Sequence, residues 1–264
     1  MASPWPRRRP EPGTNLEVAA YIDALEKEGI RLAGIASGFD LSSPIPTCPG
    51  WTLRDLLLHL GGIHRWAGSH VRDSLPGLLQ TDLIHIFERL PEDRELVDWY
   101  QRELELLVQS LRDAPADLEC ATFLTAASPL HHWARRQAHE TAVHRADVEA
   151  IGRRLTAVEI AFALDGIDEL ISGFATRSYM KLRSETPRTL GIIPDNAKRT
   201  WVMAITQGPV VVTNVVDACD CTVGGDASDI YFALWNRTPR DRLKVKGDAA
   251  VLDSFLKHVQ IRWA

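Results

Sequence analysis

The stretch WARRQAHETAVHRADVEA, residues 133–150, decides how the fold is read. With Ile151 added it forms a ladder of Trp133, Gln137, Glu140, His144, Val148 and Ile151 at three- and four-residue steps. Residues so spaced share one face of a helix. The ends of that face are apolar, which turns it toward a core. Glu140 and His144 interrupt it one turn apart. A carboxylate buried without a partner is costly, and it either neutralises or finds a cation. A metal ion shared by Glu140 and His144 removes that cost.

Upstream, a second helix offers a matching group. Thr52 reads as an N-cap with Asp55 three residues on, opening a helix that runs to about Leu75. On it, His59 lies among Asp55, Leu56, Ile63 and Trp66. A His on one helix facing Glu-x-x-x-His on another makes a two-His, one-Glu set, which leaves a fourth metal position open as in catalytic zinc sites. Nickel, manganese and iron suit the same donors. Spacing alone also allows a blander reading, in which His59 is a satisfied core histidine and Glu140–His144 an ordinary hydrogen bond along the helix.

The remaining segments extend the helical reading. Apolar residues at Leu16, Ala19, Ala20, Leu25, Leu32, Ile35 and Phe39 approximate a helical stripe over residues 14–39. Pro44, Pro46 and Pro49 then forbid regular helix in the connector. A third helix is predicted over about residues 92–113, with Leu96, Trp99, Glu103, Leu106 and Ser110 or Leu111 along one side, and a fourth over about 129–151. Four such helices suggest a four-helix bundle. After about residue 155 the texture changes. A helix over about 158–179 leads into short β-branched runs at 201–205 and 209–213, with Gln207-Gly208 between them as a hairpin signal. A strand at 243–247 and helices at about 226–235 and 249–258 complete an α+β domain. The expected organisation is a disordered, Pro- and Arg-rich leader at 1–13, a bundle at 14–155 and an α+β domain at 156–264, consistent with 264 residues.

Composition narrows the function classes. Hydrophobic residues make up 45% and charged residues 25%, a soluble balance, and no apolar run is long enough for a membrane span. The net charge of −5 argues against general nucleic-acid binding. Residues 1–13 lack the apolar core of a secretory signal. Four cysteines, at 48, 120, 219 and 221, do not make a disulfide scaffold, so a reducing cytoplasm is expected. Cys219 and Cys221 have no neighbour that would lower a thiol pKa and read as inert.

Two stretches carry a family resemblance. PTCPGWTLRDLLLHLGGIHRWA (46–67) and WARRQAHETAVHRADVEA (133–150) closely resemble the mycothiol-dependent maleylpyruvate isomerase family. Residues 226–256, with Leu234-Trp235-Asn236-Arg237 and Val245-Lys246-Gly247-Asp248, look like that family's second domain. The resemblance implies a DinB-like metal-binding bundle followed by a smaller, sterol-carrier-like α+β domain. It implies His59, Glu140 and His144 as ligands of a divalent metal, zinc foremost, and Arg237 as a catalytic residue near the substrate. Asn236 stands where the family commonly has Gly, which leaves the local turn open. The implied chemistry is activation of mycothiol as a thiolate that adds to an electrophilic small molecule, ending in cis–trans isomerisation or S-transfer, with the balance toward transfer. A binding module holding an apolar ligand in the second domain is the alternative. His139 points off the metal face and reads as a hydrogen-bond donor near the ligands or between helices. His64 and His70 are expected near the ligands or in solvent, His131 and His132 at the helix start, and Arg65 and Arg145 beside carboxylates.

Overall fold

A computed structural model describes residues 16–79, 91–214 and 218–261. The leader expected over 1–13 lies outside the described residues. The rest falls into two compact units that meet in the chain between Thr156 and Ala157.

The first unit holds four helices: α1 (Val18–Ala36), α2 (Leu53–Arg72), α3 (Leu96–Asp113) and α4 (Pro129–Ile151). Thr52 caps α2 reciprocally. Its hydroxyl accepts from the Asp55 N–H, and the Asp55 carboxylate accepts from the Thr52 N–H at 2.9 Å. Ser128 caps α4 and Pro129 occupies its first turn, where a missing N–H costs nothing. Helix α1 packs on α4 and α3, and α2 packs on α3 and α4, which closes a four-helix bundle.

Three faces differ from expectation. On α1 the buried side is Tyr21, Ile22, Leu25, Glu28, Leu32, Ala33 and Ala36, while Ala19 and Ala20 are exposed. Leu25 and Leu32 lie on the expected stripe and Ile35 and Phe39 pack at its edge, but its first turn is set by Tyr21 and Ile22 instead of Ala19 and Ala20. On α3 Leu106 is 56% exposed, and Leu104, Leu107 and Val108 are buried instead. Helix α4 is buried on every side rather than along one stripe. Its many polar side chains must therefore find partners inside the protein.

The second unit opens with α5 (Ile160–Asp168), which continues as a π-helical stretch, Glu169–Phe174. The single helix expected to Tyr179 thus ends earlier. A five-stranded mixed sheet follows, in the order β3-β2-β1-β4-β5. The strands are β1 (Arg188–Pro194), β2 (Trp201–Ile205), β3 (Val211–Thr213), β4 (Cys221–Gly225) and β5 (Lys244–Gly247). β1 pairs antiparallel with β2 and parallel with β4, and the other pairings are antiparallel. The β2–β3 hairpin and β5 were legible; β1, at the centre, and β4 beside it were not. Helices α6 (Ala227–Leu234) and α7 (Ala249–His258) complete the unit. At Gly247, φ is +86° and a Cβ would sit 2.2 Å from the Asp220 carbonyl oxygen, so only glycine fits where β5 turns into α7.

Candidate metal centre

His59 projects from α2, and Glu140 and His144 project one turn apart from α4. The structure brings the three together, with one donor atom from each within 4.8 Å of the others. Both imidazoles aim Nε2 at the same oxygen: Glu140 Oε1 lies 3.7 Å from His59 Nε2 and 3.3 Å from His144 Nε2. Zinc bonds of roughly 2.0–2.2 Å in tetrahedral array put neighbouring ligand atoms about 3.3 Å apart. The donor set therefore fits a small divalent ion, with a fourth position left for a further ligand.

The far side of each α4 ligand is already committed. Arg136, itself buried, donates to Glu140 Oε2 at 3.1 Å. His144 Nδ1 donates to Asp147 Oδ2 at 2.8 Å. Burial would push the Glu140 carboxyl up, but the facing imidazoles of His144 and His59 and the charge on Arg136 hold it well below the usual carboxylate range. For His144, burial works downward, and bonds to Asp147 and Glu140 outweigh it and raise the pKa. Burial lowers His59 despite Glu140. Without metal the site thus holds an anionic carboxylate beside one imidazole that favours a proton and one that does not. A metal ion and a proton would compete for His144 Nε2. The Trp51 indole packs against both rings, 4.9 Å from the His59 centroid and stacked at 6.3 Å on His144.

Comparison with known proteins settles the family. Residues 22–149 match the mycothiol maleylpyruvate isomerase N-terminal domain, and residues 161–254 match the MDMPI C-terminal domain. The chain belongs to the mycothiol-dependent maleylpyruvate isomerase family. Among solved structures, the mycothiol-dependent maleylpyruvate isomerase shares the fold, at 13% identity and a TM-score of 0.61, over 89% of this chain and 96% of that one. A histidine-to-alanine variant of it gives 12%, 0.62 and the same coverage. No curated protein matches the chain.

Family membership leaves the other sequence-marked residues to be placed by geometry. His64 is fully buried, its Nε2 2.9 Å from the Thr141 hydroxyl, and burial drives its pKa down to about 3, so it is a neutral neighbour of the centre. His70 is structural: Nδ1 donates to the Trp66 carbonyl at 2.8 Å and Nε2 accepts from the Leu79 N–H at 3.1 Å. His139 and His131 pack edge-on against Tyr21 of α1, and His132 against Phe123. Arg65 pairs with Glu103, and Arg145 with Glu28 and Glu149.

Arg237 follows α6, and here the turn is resolved. Asn236 takes the left-handed conformation at φ +61°, its N–H bonds the Ala233 carbonyl, and the Arg237 N–H bonds the Phe232 carbonyl at 2.7 Å. This is the Schellman ending, for which Asn is the usual substitute for Gly. Asp147, Arg136 and Trp51 were missed as parts of the centre. For Asp147 the available signal was its spacing, three residues after His144 on the same helical face.

Proposed function

We propose that the chain is a metal-dependent enzyme that uses mycothiol as a nucleophile toward an electrophilic small molecule. The observation that carries this is the convergence of His59 Nε2, His144 Nε2 and Glu140 Oε1 in a chain of this family. His59, Glu140 and His144 would hold the ion, while Arg136 occupies the second Glu140 oxygen and Asp147 occupies His144 Nδ1. A divalent metal here, zinc foremost, would supply the positive charge that keeps a thiol ionised.

The thiolate sulfur then attacks the electrophilic carbon of a conjugated double bond. A C–S bond forms and the π electrons move onto the conjugated carbonyl. The former double bond is now single and rotates. When the electrons return, the C–S bond breaks and the trans product leaves with the thiolate restored. In S-transfer the adduct is instead protonated and released whole. Arg237 is assigned to the substrate, where a guanidinium complements a carboxylate or the developing enolate oxygen.

The test is zinc-loaded protein supplied with mycothiol and maleylpyruvate. Mycothiol-dependent formation of the trans isomer, or of an S-conjugate detected by mass spectrometry, is expected. Absence of both, with no mycothiol binding by calorimetry, overturns the thiol reading. A co-purifying lipid without any thiol adduct would move the function to the carrier alternative.

A further inference from the structure

The connector between α1 and α2 is not a passive link. Its chain is folded back on itself: the Ile45 N–H bonds the Trp51 carbonyl at 2.9 Å, the Trp51 N–H bonds the Cys48 carbonyl at 3.0 Å, and Pro44 bridges to Thr52. This closed loop delivers two donors to Asp147. The Thr47 hydroxyl donates to Oδ1 at 2.5 Å, and the Cys48 thiol lies 3.4 Å from Oδ2. Asp147 is wholly buried, and its Oδ2 also accepts from His144 Nδ1. The same loop lays Trp51 on both histidine rings.

From this we infer that Asp147 is a positioning residue for the metal centre, and that Thr47 of the connector holds it in place. The chemistry is that of a carboxylate–histidine–metal relay. A carboxylate on Nδ1 fixes the tautomer with the proton there, leaves Nε2 as the free lone pair and makes that nitrogen a better donor. Imidazole rings otherwise rotate and exchange tautomers. Here Asp147 lies one turn beyond His144 on the same helix, while Thr47 reaches it from a different part of the chain. The connector therefore sets where the lone pair points. Cys48, His144 and Asp147 also lie close enough to form a second donor group. An ion there would have to displace the bond between His144 Nδ1 and Asp147, so the relay is the better use of these atoms.

The inference rests on the metal reading, and the test separates the two. Zinc affinity is measured by chelator competition on the full chain and on D147A, D147N, T47V and H144A. D147A is expected to bind about 10- to 100-fold more weakly and D147N less severely so. T47V should lose a smaller factor, and H144A should retain no zinc by elemental analysis. In parallel, long-range proton–nitrogen NMR of the metal-free protein at alkaline pH reads the His144 tautomer. The proton belongs on Nδ1 in the wild type and is expected to redistribute in D147A and D147N. If D147A fails to fold, D147N and T47V carry both measurements. Zinc retained by H144A, or no zinc bound by the wild type, overturns the ligand set, and the tautomer alone then decides the role of Asp147. A wild-type proton on Nε2, or D147A and D147N affinities within about twofold of wild type, overturns the positioning role.

Discussion

A candidate metal donor is most useful when its donor atom has one direction to face, and in this bundle Glu140 and His144 are each held from behind. Arg136 occupies one oxygen of Glu140, and Asp147 occupies one nitrogen of His144. That His59, Glu140 and His144 would converge was legible in the sequence, because Glu140 and His144 sit one turn apart on a core-facing ladder and the family motifs supply His59. Their partners were not. Arg136 lies at the same four-residue spacing from Glu140 that marks innumerable exposed ion pairs, and only burial distinguishes it. Trp51 belongs to a connector whose path no periodicity describes. Arg237 is a residue whose setting became clear only in three dimensions. Asn236 supplies the left-handed turn that glycine would, so the guanidinium leaves α6 from a formed Schellman ending, with Nη1 donating to the Trp235 carbonyl at 2.7 Å. Arg237→Ala should leave one metal per chain by elemental analysis and lower kcat/KM about 10- to 100-fold, the worth of a hydrogen bond to a charged group. An unchanged kcat/KM would remove Arg237 from the reaction.

At the level of elements, helices were easier to read than strands, for a physical reason. A helix reports itself through the 3.6-residue period and through caps, such as the one read at Thr52. Strands β1 and β4 carry no comparable signal. β1 contains Gly191 and ends on Pro194, and β4 ends on Gly224 and Gly225. These residues are depleted in strands on propensity alone. At Gly191 the space is tight, since a Cβ there would lie 3.0 Å from the Cys219 sulfur. The same principle of close approach acts between α2 and α3. A Cβ at Gly61 would meet the Trp99 ring at 2.3 Å, and Trp99 is only 6% exposed. Gly61→Ala gains helix propensity, yet the clash should dominate and destabilise the fold by about 1–3 kcal/mol in urea unfolding. A cost under about half a kcal/mol would mean that Trp99 swings aside freely.

At the scale of the whole molecule, the order of a helical bundle followed by an α+β unit was readable because the texture of the chain changes near residue 155. What composition could not reveal is how much charge the bundle buries. Arg145 is wholly buried, donating to Glu28 of α1 at 2.6 Å and to Glu149. Glu149 also accepts from Arg31 and from the Thr156 backbone and hydroxyl, so one carboxylate ties α1, α4 and the end of the unit together. Burial alone would raise its pKa, but the Thr156 backbone bond, the charge on Arg145 and the remaining bonds more than compensate, and the carboxyl is lowered. A carboxyl whose native pKa lies below its unfolded value stabilises the fold fully above the unfolded value, about 4.3, and that contribution is lost as pH falls through the native pKa. Denaturant unfolding of the bundle signal should therefore show stability falling below about pH 4.3. Glu149→Gln should lower stability at neutral pH by roughly 1.5–3 kcal/mol, since it removes charge-assisted bonds, and should flatten the acid limb of the profile. An acid limb as steep in Glu149→Gln as in the wild type would assign the pH dependence to other carboxylates, Glu140 foremost.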